Sequence, residues 1–96
     1  WAMHHINVHT TESGEGWMAA VVVTSDDGSS TKHSVGFSRD LYNQLTGGKA
    51  DPEALVKASF EFLLDREPKE AILRQFDLPA ISRYFPEYER LIAARF

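Results

Sequence analysis

The chain contains no cysteine. That excludes thiol catalysis, cysteine zinc ribbons, iron–sulfur clusters and the disulfide-stapled secreted folds together. It also lacks any run of the roughly 18 to 20 apolar residues that a spanning helix requires. No basic region followed by an apolar one stands at the N-terminus. The expectation is therefore a soluble, cytoplasmic protein without a membrane partner. An excess of positive charge is missing too: residues 1–50 carry three basic against five acidic side chains and residues 51–96 seven against nine, so the net charge of -4 is evenly spread. Neither half is an electrostatic arm for nucleic acid, whose binding rests on a basic face. Met3 is either a native start or, with Trp1 and Ala2, internal to a longer chain.

What is present suffices for one domain over residues 1–96. The 96 residues are 43% hydrophobic. A chain of this size hides roughly 65% of its unfolded surface on folding, enough for a modest core. There are no repeats, low-complexity tracts or linkers.

The first part, about residues 4–37, reads as strands. Ile6 and Val8 alternate with Asn7 and His9, the period of two expected of a strand with one wet face. From Trp17 to Thr24 both faces are apolar, with Trp17, Ala19, Val21 and Val23 on one side and Met18, Ala20 and Val22 on the other, so this segment is the central strand. Thr31, His33, Val35 and Phe37 alternate with polar or small residues in a third. Asp27-Gly28 suits the turn between the second and third, and Glu12 to Gly16 forms a longer turn between the first two.

Residues from about 38 to 96 read as four to five short helices packed on one face of this three-stranded antiparallel meander, an α+β fold. Ser38 caps a helix with Leu41 and Leu45 inward, and Phe37 before the cap staples onto Tyr42. Gly47-Gly48 ends it, and Asp51-Pro52-Glu53 starts the next. Leu55, Val56, Phe60, Phe62, Leu63 and Leu64 cover about half of that second helix at 100° per residue, leaving Lys57, Glu61 and Asp65 as a narrow polar strip. A third helix is expected after Glu67-Pro68, with Ile72, Leu73 and Phe76 inward and Glu70 one turn from Arg74. Asp77 caps a fourth, and Pro86 forces a break at Phe85 before a last helix bearing Tyr88, Leu91 and Ile92.

Few residues suggest chemistry. His5 and His9 lie roughly 13 Å apart on one strand face, too far to share a metal, and His4 points to the opposite face, so neither metal nor cofactor is expected. His33 shares its face with Val35 and Phe37 and should turn toward the helices, where a hydrogen-bonded structural histidine is the commoner outcome. Arg66 lies within about 20° of Leu55, so its guanidinium emerges at the end of the apolar face. It either binds an anion or answers the helix dipole, paired with Asp65, Glu67 or Asp77. Tyr84 belongs to an aromatic cluster around Pro86 that either faces a ligand or plugs the core. Gly47-Gly48 lacks the lysine and hydroxyl of a phosphate loop, and no serine sits in a nucleophile elbow, so no catalytic residue is assigned and nothing requires an enzyme.

Ala58-Ser59-Phe60-Glu61-Phe62-Leu63-Leu64-Asp65-Arg66-Glu67-Pro68, followed by Ile72-Leu73, Phe76-Asp77-Leu78, Ile81 and Tyr84-Phe85-Pro86, resembles a family of small uncharacterised bacterial proteins. The resemblance covers the second half well and the strands loosely. It implies a bacterial origin and no activity, cofactor or site residue.

Two readings of function follow. In the first, Met18, Ala20 and Val22 form an apolar strip on the sheet face away from the helices, serving a second copy of the chain or a protein partner, unless the last helix folds over it. In the second, His33, Arg66 and Tyr84 form a small-ligand or minor enzymatic site between sheet and helices.

Overall fold

The computed structural model describes residues 4–96. Trp1 to Met3, and with them the alternative start at Met3, lie outside the described residues. Strands β1 (His4–Ser13) and β2 (Gly16–Ser25) pair antiparallel without a break in register from His4↔Ser25 to Ser13↔Gly16. The turn joining them is two residues long rather than the longer turn expected, because Gly14 takes the φ of +58° that a tight hairpin needs. Strand β3 (Ser30–Ser38) pairs antiparallel with β2, and the turn between them is held by Asp27, whose Oδ1 accepts from both the N–H and the Oγ of Ser29 at 2.9 and 2.6 Å. Those two bonds are the main reason the Asp27 carboxyl sits below its ordinary pKa.

Ser38 closes the sheet and opens helix α1 (Arg39–Thr46) through its Oγ, which accepts from the Leu41 N–H at 3.1 Å. The expected staple runs through a third ring, since Trp17 lies against both Phe37 and Tyr42, with centroids 5.4 and 5.0 Å apart. Gly47 ends α1 in the left-handed region at φ +65°. Helix α2 (Pro52–Leu64) then begins at the proline.

The chain next departs from the helical expectation. Lys69–Ala71 make one 3-10 turn, Ile72 is extended, and Gln75–Asp77 form a short strand β4 that pairs parallel with β3 through Ser34↔Gln75 to Gly36↔Asp77. The three-stranded antiparallel meander is thus corrected to a four-stranded mixed sheet of order β1-β2-β3-β4, and the expected third helix to a turn and a strand. The parallel pairing is possible because α1 and α2 supply the crossover that parallel neighbours require. Leu73 consequently points outward, 53% exposed, and Glu70 pairs with its neighbour Lys69 at 2.7 Å instead of with Arg74. Asp77 is extended and makes no side-chain cap. Its Oδ1 lies over Gly36, where a Cβ would come within 2.7 Å of it. A 3-10 turn at Leu78–Ala80 leads into α3 (Ile81–Tyr84), Phe85 leaves the helical region ahead of Pro86 as expected, and α4 (Tyr88–Ala93) follows. None of the described helices is long and apolar enough to cross a membrane.

Helix α2 organises the core. Leu55, Val56, Ala58, Ser59, Phe60, Phe62 and Leu63 are all buried. Phe60 meets His33 and Phe76 on the sheet side at centroid distances of 5.2 and 6.1 Å, while Phe62 meets Phe85 and Tyr88 on the other at 5.8 and 5.3 Å. The polar Ser59 tolerates full burial because its Oγ donates to the Leu55 carbonyl at 2.8 Å and accepts from the Tyr88 hydroxyl at 2.6 Å. Both hydroxyls at this α2–α4 contact are thereby hydrogen-bonded, at a net worth of about 1 kcal/mol per bond.

Burial holds the Tyr88 phenol well above its ordinary pKa, outweighing the Ser59 bond that favours ionisation. A raised folded pKa means that the contribution is complete below the unfolded value of about 10 and is lost as pH rises beyond it. Tyr88→Phe should therefore cost about 1 kcal/mol at pH 7 in urea unfolding, and its stability should fall less steeply than wild type above pH 10. An equal alkaline slope in both proteins would show that Tyr88 is not the group responsible.

Candidate functional site

His33 is 4% exposed and both ring nitrogens are engaged. Nδ1 lies 2.8 Å from the Leu73 carbonyl, which can only accept, so that nitrogen carries the proton. In the neutral ring Nε2 then accepts from the Thr31 hydroxyl, also at 2.8 Å. Next to it the Ser34 N–H donates to the Arg74 carbonyl at 2.7 Å. The ring thus straps the segment before β4 onto β3, leaving no ring nitrogen free for a ligand.

Arg66 sits just past the end of α2, exposed to solvent. Its guanidinium lies over the Phe62 ring at 3.7 Å from the centroid, with Phe85 at 5.9 Å, and Nη1 donates to the Phe62 carbonyl at 3.2 Å. It answers both the C-terminal dipole of α2 and the π-face of a core ring, and among the described residues it forms no ion pair. Tyr84 is 69% exposed and lines a groove of about 220 Å³ together with Leu63, Leu73, Phe76, Ile81 and Phe85. Neither His33 nor Arg66 lines that groove. The three residues of the small-ligand reading are therefore spread over a buried strap, a stacked helix terminus and a groove wall.

The residues of the other reading lie together. Helices α1 and α2 pack on the face carrying Ala19, Val21, Val23, Val35 and Phe37, so Met18, Ala20 and Val22 stand on the opposite face, with Met18 40% exposed. Their cross-strand neighbours are Thr11, His9 and Asn7 on β1 and Gly36, Ser34 and Lys32 on β3, so the strip is one strand wide with polar flanks. Helix α4 packs against α1 and α2 and does not cover it.

Two features were not visible in the sequence. Lys69 is buried, its side chain 6% exposed, with Nζ 2.7 Å from Glu70 Oε2 beside the β2–β3 turn. That bond is the first cause of the lowered Glu70 pKa. The second is a groove of about 220 Å³ along the unpaired side of β1, lined by Ile6, Asn7, Val8, Glu53, Ala54 and Lys57. Only the tertiary placement of α2 over β1 creates it. Among the described residues no three histidine, aspartate or glutamate side chains are placed to hold a metal. No family model, curated protein or solved structure matches the chain.

If His33 is a strap, His33→Ala should cost about 2 to 3 kcal/mol, the sum of a core cavity and an orphaned carbonyl, and should speed amide exchange at Ser34 and Phe76. Leu73→Ala, which keeps the carbonyl and removes an exposed side chain, should cost less than about 1 kcal/mol. Equal effects of the two substitutions would contradict the strap.

Proposed function

We propose that the chain is a small non-enzymatic interaction or accessory domain that self-associates or binds a protein partner through its sheet. The observation carrying this reading is the one-sided burial of the sheet: the helices cover one face, while the Met18–Ala20–Val22 strip and the outer edge of β1 are left open. Sheets in small domains usually protect such surfaces, and those left open serve contacts. The groove beside Tyr84 supports a ligand less well, since about 220 Å³ falls below the roughly 300 Å³ at which small-molecule sites begin. A net charge of -4 gives nucleic acid no footing. The bacterial, cytoplasmic setting belongs to the same proposal. It is supported by the family resemblance of the second half and by the cysteine-free composition.

Sedimentation velocity over a range of micromolar concentrations tests the reading. The expected result is a sedimentation coefficient that rises with concentration toward that of a dimer. A monomer throughout, with no protein retained on the immobilised chain, would overturn it.

A further inference from the structure

The geometry points to the unpaired edge of β1 as a self-association site whose occupant is β1 of a second copy, running antiparallel about a twofold axis through Asn7. This deepens the proposed function and rests on it.

The backbone comes first. The two-residue turn makes Ser13↔Gly16 a hydrogen-bonded pair, so alternation turns the amides of the odd-numbered β1 residues toward β2. His4, Ile6, Val8 and Thr10 therefore present their N–H and C=O groups outward. Between His4 and Thr11 β1 contains no proline, no lysine and no acid, and its register is unbroken, so neither these residues nor a bulge blunts the edge. The opposite edge is the three-residue β4, already too short to template a partner.

Side chains select the second copy. Antiparallel pairing about Asn7 sets Ile6 opposite Val8 of the other copy, and Val8 opposite its Ile6, in hydrogen-bonded positions on the helix-covered face. Both residues are only partly buried in one copy. Such β-branched pairs each contribute roughly 0.2–1 kcal/mol. Helix α2 borders the same edge, and the twofold axis runs it antiparallel to its counterpart. Glu53, which accepts from the Thr10 hydroxyl at 2.8 Å, and Lys57 line the groove beside that edge with Ala54, so the twofold axis brings an acid and a base from each copy to the seam, where each acid meets the other copy's base. A partner with a different charge pattern would not satisfy both contacts, whereas an identical copy does so by symmetry.

Charge reversal tests this without touching the core. By sedimentation velocity, E53K and K57E, each folded by circular dichroism, should associate at least about tenfold more weakly than wild type. The double swap E53K/K57E and an equimolar mixture of the two single variants should restore association, while Val22→Glu on the open face should leave it unchanged. Single variants that associate like wild type, or a mixture that restores nothing, would overturn the edge assignment. If Val22→Glu alone abolished association, the sheet reading would stand and the edge would be wrong. A wild type that stays monomeric would overturn the edge assignment, while the broader reading would fall only if the immobilised chain also retained no protein.

Discussion

A helix that carries large aromatic rings on two opposite sides must be enclosed on both, and α2 is such a helix. With Phe60 directed at the sheet and Phe62 directed away from it, burying one side leaves the other in water unless a further layer is added. The last third of the chain supplies that layer, with Phe85, Tyr88 and Ile92 closing over the far side. A chain of 96 residues then has nothing left to cover the second face of its sheet. The open strip and the open edge are consequences of spending the helices on α2.

The same demand explains which elements were legible in the sequence. Ser38, Asp51-Pro52 and Phe85-Pro86 act through local chemistry: a hydroxyl cap, a preset φ, and a ring that clashes with the preceding residue. Their positions agree with the observed breaks. The segment 69–77 was not legible because its inward apolar residues, the buried Ile72 and the partly buried Phe76, are four apart, a spacing that fits one face of a helix and one face of a strand equally well. Leu73 separates the two cases, since only a helix would bury it with Ile72. Tertiary bonds decided the outcome: the His33 ring and the Ser34 amide capture the carbonyls of Leu73 and Arg74, and a helix would have needed those carbonyls for itself.

For the candidate site, direction was more legible than partnership. That His33 faces the helices follows from its strand neighbours, but that its partner is a backbone carbonyl forty residues away does not. Arg66 was placed correctly at the end of the apolar face, while its partner proved to be an aromatic ring rather than an acid. Glu53 and Lys57 look like ordinary solvated positions one helical turn apart. They gain meaning only when α2 lies over β1, which no local pattern encodes.

The character of the proposed contact also follows from these constraints. Outward amides on a free edge are already hydrogen-bonded to water, so pairing them exchanges one set of bonds for another at a small net gain. Exposed ion pairs add little each. The apolar contribution is confined to Ile6 and Val8, both already half covered by α2. Summed over one short strand and one helix flank, these terms have to offset the loss of translational and rotational freedom, which costs several kcal/mol. An edge built this way specifies its partner through register and charge more than through apolar area, and so suits a reversible association that responds to concentration rather than a permanent dimer.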